Sequence, residues 1–449
     1  MTYYKPEVSH DDCYLTVGRG RLAVRGALCE KIMKKTKLVH TTIHSRLMEQ
    51  IIVAVNHDEP VLLVGETGTG KTSAIQYCAA WSGAKLRVVN MSRQSEGADL
   101  LGSFRPVDAQ SLLRPIFGQF HSLMNETFPG KNEMFLTKMG SALATGQIKD
   151  VVIPAMKNII SQMSPPGDVG LAKSWNKFSS IVNDAEIRIK SQSLSFAFVE
   201  GELAQAVRNG DWLLLDELNL APAELLESIS GLLDSGFLAI PELGLIEPHK
   251  SFRLFAAMNP ANDFAKKDLP DSLRGRFSEF YVAEANSEFD ISRIVFHYLP
   301  SISEKIQKRL VQFYLKMRKE KIRDISGKNS TFSLRTLARA LQVARDSFGH
   351  SPTGIFQSLQ LAFMSGLDES SSILVSALLR KYEFVAKNKE IKLLSPSFDH
   401  VTIEGFHFRS GQNSAFLDEK FIITKTVRQN LFNLSRAISA SKYPILIQG

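Results

Sequence analysis

Residues 60–72 read "PVLLVGETGTGKT" and match the pattern G-x-x-x-x-G-K-[ST] from the first glycine onward. The apolar run before Gly65 is typical of a short buried strand, and the residues after Thr72, "SAIQYCAAW", have apolar side chains at helical spacing. This order of strand, glycine-rich loop and helix is the setting in which the pattern binds phosphates. The stretch therefore predicts an α/β domain that binds a nucleoside triphosphate.

The residue types of this loop suit a triphosphate. Glycines allow the backbone to turn its N–H groups inward, and the helix that follows adds the positive end of its dipole. The Lys71 ammonium can reach the β- and γ-phosphates, and the Thr72 hydroxyl can ligate Mg²⁺. A glycine-rich turn without a ligand is the alternative, which the flanking strand and helix disfavour. The expected phosphate-binding residues are Gly65, Glu66, Thr67, Gly68, Thr69, Gly70, Lys71 and Thr72.

The composition excludes several other classes of protein. Hydrophobic residues make up 44% of the 449 residues and charged residues 22%, as in globular proteins of two or three domains. The longest apolar runs are too short to span a bilayer, and the 3 cysteines show no spacing typical of disulfides or zinc. The net charge of +8 allows contact with RNA without requiring it, since the basic run at 316–323 fits a solvated helix face better. We expect a protein of a reducing compartment.

An apolar strand predicted at residues 212–215 ends in an acidic pair, Asp216 and Glu217. A carboxylate at a strand end can hold the ligand shell of Mg²⁺, which is the role expected of Asp216. Glu217 can orient and polarise the attacking water. A surface acidic pair is the alternative, but hydrolytic phosphate-loop proteins need carboxylates at a strand end, and no other pair fits better.

Three further segments follow in chain order. "FRLFAAMNPAND" predicts a strand that ends at Asn259, whose polar side chain could position water near the γ-phosphate. Arg274 and Arg276 precede another strand, where each is either a salt-bridge residue or an arginine finger presented to the nucleotide of an adjoining module. "TFSLRTLARALQVAR" predicts a helix with Arg335 near its start.

These segments, in this order, resemble the AAA+ ATPases. Several stretches are closer still to the giant dynein-related AAA+ proteins of ribosome assembly, namely "LVGETGTGKT", "RVVNMSRQSEGADLLGSFRPVD", "FAFVEGELAQAVRNGDWLLLDELNLA", "FRLFAAMNPAND" and "SLRGRFSEFYV". The resemblance covers nearly the whole chain and is loose at residues 109–195. It implies an α/β fold with a parallel-sheet phosphate-loop domain, a long helical insertion and a C-terminal helical lid. The implied ligands are ATP and Mg²⁺.

The resemblance also implies a machine and its partners. Six such modules in one chain form a ring, and ATP hydrolysis by the ring remodels precursors of the large ribosomal subunit and releases assembly factors. The implied partners are neighbouring AAA+ modules and the large-subunit preribosome with its assembly factors. Contact with rRNA would be indirect, and no membrane partner is expected. The implied location is nuclear, in the nucleolus and nucleoplasm.

The resemblance assigns Walker A to Lys71 and Thr72, Walker B to Asp216 and Glu217, sensor 1 to Asn259, and sensor 2 to Arg335. Thr72 and Asp216 are also the expected Mg²⁺ ligands. Arg276 would be the arginine finger, and Arg274 competes for that role because spacing does not separate the two. Asn90, at the end of the "LRVVN" strand, would hold the Walker B glutamate away from the water until neighbouring modules engage.

The expected domain order is a linker from a preceding module at 1–40, an α/β nucleotide-binding domain at 41–285, a helical lid at 286–390, and a linker with the truncated start of a next module at 391–449. The helical insertion at 109–195 is either a bundle that caps one face or a device that reaches the ring pore, a neighbour or a client. A hairpin is expected at 236–252, before the Asn259 strand.

The last residues of the chain resemble the segment that precedes the phosphate loop. Aligning Gly449 with Gly65 pairs Pro444 with Pro60, so that "YPILIQG" matches "EPVLLVG". Chance similarity of a few apolar residues is the alternative. A long internal period is typical of repeat arrays, so we expect a second lead-in helix and first strand here. The chain is then expected to be a fragment, whose linker order resembles that of a second module.

The main interpretation is an ATP-hydrolysing module of a ribosome-assembly machine. One alternative is a structural ring module that holds ATP without turnover, which Glu217 disfavours because such a module could dispense with that carboxylate. Another is a MoxR-like or dynein-like ATPase with a different client, which the wording of "NMSRQSEGADLLG" disfavours.

Overall fold

The computed structural model describes residues 5–11, 13–24, 38–106, 109–128, 132–162, 169–190, 196–260, 269–324, 326–330, 332–348, 351–384, 400–404, 406–409, 422–440 and 443–447. These residues form two compact units. The first lies within 1–95, 206–236 and 248–449, and the second within 96–205 and 237–247. Among the described helices, none combines the length and the hydropathy needed to cross a membrane.

The strands are, in chain order, β1 Val8–His10, β2 Tyr14–Val17, β3 Gly20–Ala23, β4 Val61–Val64, β5 Leu86–Asn90, β6 Gly102–Pro106, β7 Phe196–Glu200, β8 Trp212–Asp216, β9 Leu238–Ile240, β10 Gly244–Ile246, β11 Arg253–Met258, β12 Ser278–Tyr281, β13 His400–Ile403 and β14 Phe406–Arg409. The α-helices are α1 Thr42–Asn56, α2 Lys71–Ser82, α3 Gly97–Leu100, α4 Ala109–Thr127, α5 Glu133–Ala144, α6 Ile153–Gln162, α7 Val169–Lys190, α8 Glu202–Asn209, α9 Ala223–Ser235, α10 Asp271–Arg274, α11 Glu288–Tyr298, α12 Glu304–Met317, α13 Leu334–Val343, α14 Pro352–Met364, α15 Glu369–Lys381 and α16 Lys425–Ala440. Short turns of 3-10 or π geometry cover Ile148–Val152, Leu218–Leu220 and Ala344–Phe348.

Five parallel strands form the central sheet of the first unit, in the order β12-β4-β11-β8-β5. Asp216, the last residue of β8, pairs with Asn90 on one side and with Ala257 on the other. Val64 of β4 pairs with Met258 of β11. The carboxyl ends of these strands therefore meet at one edge of the sheet, and the loops that follow them leave the sheet together. The parallel α/β sheet predicted from the sequence is confirmed.

Helices α1 and α2 pack with the central sheet and with β1–β3 into one apolar core. Met48, Ile51 and Ile52 recur at helical spacing in α1 and are fully buried. Burying such a side chain stabilises the fold by roughly 1.5–3 kcal/mol. The sequence predicts a linker at residues 1–40, but Leu15 and Val17 of β2 are also fully buried in this core. Strand β2 therefore belongs to the nucleotide-binding unit, because its apolar face completes the core of that unit.

The first unit has a second core, which is formed by helices α11 to α15. Its largest fully buried side chains include Phe313 and Phe363, whose ring centroids lie 5.6 Å apart in an edge-on contact. The basic run that continues from α12 has charges paired within the chain, since Lys316 contacts Glu320 at 2.7 Å and Arg318 pairs with Glu284.

The C-terminal residues are predicted to repeat the segment that precedes the phosphate loop. With Gly449 aligned to Gly65, helices α1 and α16 end at equivalent positions, Asn56 and Ala440. The predicted second copy of the first strand does not form, because residues 443–447 have no regular secondary structure. A parallel strand exists only where neighbouring strands supply its hydrogen bonds, and no described strand lies beside this segment.

The second unit is mainly a helical bundle with a core of its own. Helices α4, α5, α6 and α7 surround Phe120, Trp175 and Phe178, with the Phe120 and Phe178 rings stacked at 5.8 Å. Strands β6 and β7 pair antiparallel, and so do β9 and β10. The predicted helical insertion is confirmed, and the hairpin expected before the Asn259 strand is present as β9-β10. Residues 165–167, whose Pro-Pro-Gly sequence predicts a break between helices of the insertion, lie outside the described residues.

Candidate nucleotide-binding site

The phosphate loop joins β4 to α2 at the carboxyl edge of the central sheet. Gly68 and Gly70 have φ values of 82° and 86°, a backbone region that glycine adopts without the steric cost of a Cβ atom. The Thr69 hydroxyl donates a hydrogen bond to the carbonyl oxygen of Glu66 at 2.9 Å, which ties the loop across its own curve. Gly70 is the N-cap of α2, so the loop ends at the positive end of this helix.

Lys71 lies at the centre of the loop and is only 7% exposed. Its ammonium donates hydrogen bonds to the carbonyl oxygens of Gly65 at 2.5 Å and Glu66 at 3.0 Å. It also donates to the Asn259 Oδ1 at 3.1 Å. The loop thus holds a buried positive charge by its own carbonyl groups, and phosphate oxygens can replace these acceptors when a nucleotide binds.

Oxygen atoms of two elements meet next to this lysine. The Thr72 hydroxyl at the start of α2 donates to Asp216 Oδ2 at the end of β8, at 3.0 Å. A hydroxyl and a carboxylate in this arrangement suit Mg²⁺, which in phosphate-loop proteins takes few protein ligands and completes its shell with phosphates and water. No cluster of three or more metal-ligating His, Cys, Asp or Glu side chains occurs among the described residues.

Glu217 follows Asp216 in a conformation that is uncommon for a non-glycine residue, with φ 58° and ψ 41°. Its backbone N–H donates to Asp216 Oδ1 at 3.0 Å, and its half-buried side chain lines the same cavity as the phosphate loop. The left-handed turn ends strand β8 abruptly and begins the short turn Leu218–Leu220. The chain therefore leaves the sheet at the acidic pair.

Asn259 and Asn90 come from the two strands that flank β8. Asn259 is 7% exposed and lies against Lys71, as its 3.1 Å hydrogen bond shows. Asn90 pairs with Asp216 in the strand register, but its side chain is exposed and is not part of the cavity lining. In the part of the chain that the structure describes, no hydrogen bond joins Asn90 to Glu217. The structure thus brings Asn259 into the site and leaves Asn90 at its edge.

The cavity beside the phosphate loop has a volume of about 320 Å³ and contains one apolar and one polar end. The polar end is lined by the loop together with Asp216, Glu217, Asn259 and Arg335. The apolar end is lined by Leu38, Val39, Ile294, Tyr298, Leu334 and Ala338. A purine base with its phosphates needs this combination, because the base is a flat, largely apolar ring and the phosphates carry charge.

Arg335 reaches the cavity from the start of helix α13. The Arg335 backbone lies close to the loop, since a Cβ atom on Gly68 would be 3.2 Å from the Arg335 nitrogen. Its side chain is exposed and lines the cavity. A cation at this position can contact the phosphates of a bound nucleotide.

Arg274 and Arg276 do not line this cavity. Arg274 makes two hydrogen bonds to the carboxylate of Glu279, at 2.5 and 2.6 Å. Arg276 makes two to the carboxylate of Asp234, at 2.5 and 2.7 Å. The Arg276 hydrogen bonds hold the pKa of Asp234 below its ordinary value. Both arginines are therefore positioned by their own chain and lie away from its nucleotide cavity.

Two groups of site residues were not found from the sequence. One is the segment Leu38–Val39, which forms part of the apolar end of the cavity. The other is His44 in the first turn of α1, whose ring contacts the phosphate loop. Neither carries a motif, because an apolar dipeptide and a single histidine gain their roles from packing that spacing does not reveal.

These observations define the class of protein. Residues 60–115 and 181–277 match the model of the AAA domain of the dynein-related subfamily, and residues 290–385 match the midasin AAA lid domain. The chain is 32% identical to midasin of Dictyostelium discoideum over 91% of this chain and 8% of that protein. It is 31% identical to midasin of Giardia intestinalis over 91% of this chain and 10% of that protein.

The chain therefore belongs to the midasin family and comprises an AAA domain with its lid. It spans only 8% and 10% of the lengths of these two curated relatives.

Proposed function

We propose that the chain is an ATP-binding and ATP-hydrolysing AAA+ module of a machine that remodels precursors of the large ribosomal subunit and releases assembly factors. The observation that carries the enzymatic part is the meeting of Lys71, Thr72, Asp216 and Glu217 at one cavity. The ribosomal part rests on membership of the midasin family alone.

Binding of ATP follows from the two ends of the cavity. The base lies among the apolar side chains contributed by Leu38–Val39 and by lid helices α11 and α13. The triphosphate lies along the loop, where backbone N–H groups and the Lys71 ammonium replace water as hydrogen-bond donors. Lys71 exchanges its contact with the Gly65 carbonyl for phosphate oxygens. Arg335 adds a second positive charge from the lid side.

Hydrolysis uses the acidic pair at the end of β8. Bound Mg²⁺ neutralises charge on the phosphate oxygens, and Thr72 and Asp216 are the side chains that would hold it. Glu217 accepts the proton of a water molecule whose oxygen attacks the γ-phosphorus, while ADP departs with the electrons of the broken P–O bond. Asn259 orients this water and keeps Lys71 in place.

Neighbouring modules complete the site. Arg274 and Arg276 lie outside the cavity of their own chain, so either of them would act on the nucleotide of an adjoining module. We expect Arg276 to act in this way, with Arg274 as the alternative. The other proposed partners are the large-subunit preribosome and its assembly factors, with indirect contact to rRNA. A nuclear location, in the nucleolus and nucleoplasm, is proposed on the same family grounds.

The test is ATP binding by calorimetry and phosphate release by the chain, alone and joined to a following module, with the Glu217→Gln variant compared in each setting. We expect the variant to bind ATP about as tightly as the unaltered chain, because the amide keeps the shape of the side chain. Turnover should fall at least about a hundredfold, since the amide does not accept the proton of water. The proposal would be refuted if the unaltered chain did not bind ATP.

A structural module that holds ATP without turnover is the second candidate. The ion pairs of Arg274 and Arg276 with carboxylates of their own chain favour it, because neither arginine is then free to reach another site. Tight ATP binding with equally slow phosphate release in the unaltered chain and in Glu217→Gln, with or without neighbouring modules, would establish this candidate instead.

A further inference from the structure

A buried histidine contacts the phosphate loop and is one of the residues that line the cavity. His44 lies in the first turn of α1 and is 8% exposed. Its Nε2 atom lies 2.9 Å from the carbonyl oxygen of Thr69. The Nε2 edge of the ring lies against the loop, since a Cβ atom on Gly70 would lie 2.3 Å from the His44 Nε2.

The surroundings of the ring determine where its proton lies. The Thr69 carbonyl accepts hydrogen bonds and does not donate them, so Nε2 must carry the proton that joins them. The Nδ1 atom lies 2.9 Å from the Thr41 hydroxyl and 3.1 Å from the carbonyl oxygen of Val39. In the neutral ring with Nε2 protonated, Nδ1 accepts a hydrogen bond from the Thr41 hydroxyl, and the Val39 carbonyl lies beside Nδ1 without receiving a hydrogen bond from it. Every polar atom of the ring then has a partner, as burial requires.

The hydrogen bond to Thr69 fixes the direction of a neighbouring donor. A peptide group is planar and trans, so the Thr69 carbonyl and the Gly70 N–H point in opposite directions. Because the Thr69 carbonyl points at the His44 ring, the Gly70 N–H points away from that ring. The left-handed φ of 86° at Gly70 then turns the chain into α2 and places Lys71 at its start.

The same ring touches the wall of the base pocket through the Val39 carbonyl, and Val39 itself lines the cavity. We propose that His44 is a positioning residue of the nucleotide site, which orients the Thr69–Gly70 peptide toward the phosphates by donating from Nε2. This inference rests on the proposed ATP-binding function and names a residue that acts through the loop backbone. It does not require His44 to touch the nucleotide.

Two substitutions separate the donor from the bulk of the ring. In His44→Gln, the side-chain amide nitrogen lies four bonds from Cα, as Nε2 does, and can donate to the Thr69 carbonyl. In His44→Asn, the amide reaches only as far as Nδ1 and leaves that carbonyl without its partner. The dissociation constants of ATP and ADP would be measured for the full-length unaltered chain and both variants, with unfolding temperature as a check on folding.

We expect His44→Asn to weaken ATP and ADP binding by roughly three- to tenfold, the range that a net hydrogen bond supplies. His44→Gln should stay within about twofold of the unaltered chain. Equal affinity of all three chains, or an equal loss in both variants at matched unfolding temperatures, would overturn the role of the Nε2 donor. Absence of ATP binding in the unaltered chain would instead reject the proposed function.

A second measurement needs no variant that perturbs the loop. In the full chain labelled with ¹⁵N-histidine, the His44 signals are identified by their loss in His44→Gln. The proposal requires a protonated Nε2 before ATP is added and a shift of that signal on binding, since the hydrogen-bond acceptor belongs to the phosphate loop. A neutral ring protonated at Nδ1 instead would contradict it.

Discussion

At the scale of single residues, Gly70 meets two separate constraints. Its φ of 86° is one that an alanine adopts at a cost of about 1–2 kcal/mol, and a Cβ atom would lie 2.3 Å from His44. Gly236, which ends helix α9, has a similar φ of 71°, but a Cβ atom there meets nothing within 4 Å. The two glycines therefore share the backbone constraint and differ in the contact.

We predict that Gly236→Ala lowers the free energy of unfolding by about 1–2 kcal/mol and leaves ATP affinity unchanged. Gly70→Ala should lower the free energy of unfolding by more than this amount. It should also weaken ATP binding at least about tenfold, because His44 and the loop must move apart. Urea unfolding and calorimetry measure both quantities. Equal effects of Gly70→Ala and Gly236→Ala on ATP affinity would contradict the prediction, because the contact with His44 would then have no influence on binding.

The phosphate loop, the acidic pair and Asn259 could be predicted from the sequence. Each comes directly after an apolar run that is typical of a buried strand. The role assigned to Asn90 stays a prediction, since the strand register places Asn90 next to Asp216 and its side chain is exposed. His44 could not be predicted from the sequence. Its role depends on a contact 25 residues along the chain, between a helix and a loop, that no local pattern encodes.

At the scale of elements, helix α16 is attached to the lid helices by a buried arginine. Arg436 is 4% exposed, and burial lowers its pKa to about 10. Its guanidinium donates to Gln360 Oε1 of α14 at 2.8 Å and to Asn433 Oδ1 at 3.0 Å. A buried charge with neutral acceptors depends on each of them, because the loss of one leaves a donor without a partner.

We predict that Gln360→Leu destabilises the chain by about 1.5–3 kcal/mol, the range for a hydrogen bond to a charged group. Adding Arg436→Met to this variant should recover most of the loss, since no charge then remains buried. Urea unfolding of both single variants and the double variant forms a complete cycle. Additive effects would mean that Gln360 and Arg436 do not interact.

Elements of the central sheet could be predicted because parallel strands buried on both faces are continuous apolar runs. Strands β1–β3 could not, since they have only three or four residues each and alternate with polar side chains. These strands can be recognised only when it is known that their apolar side chains pack against helix α1. The failed second copy of β4 shows the same dependence, because a sequence that forms a strand in one setting has no strand partner in the other.

At the scale of the whole molecule, the nucleotide site and the arginines occupy different places on one chain. This separation predicts complementation between two inactive variants. Glu217→Gln retains Arg276 and lacks the residue that activates water, and Arg276→Ala has the reverse combination. If copies of the chain associate, an equimolar mixture should release phosphate several times faster than either variant alone.

The comparison is made at a concentration where sedimentation shows association of the unaltered chain. A mixture of Glu217→Gln with Arg274→Ala serves as the matched control for the choice of finger. Restored turnover only in that second mixture would assign the finger to Arg274 and contradict the assignment to Arg276. Turnover at the unaltered rate by Arg274→Ala alone and also by Arg276→Ala alone would show that neither arginine is needed in trans.

At Glu217, the residue that the proposed catalysis needs is not the residue that makes the fold most stable, because its backbone is left-handed. A residue with a Cβ atom loses about 1–2 kcal/mol in this conformation, and glycine would adopt it without that loss. If stability alone were selected, position 217 would therefore be expected to change to glycine over time. A lineage that keeps glutamate retains a less stable domain for the sake of its chemistry, and a lineage freed from turnover can gain stability at this single codon.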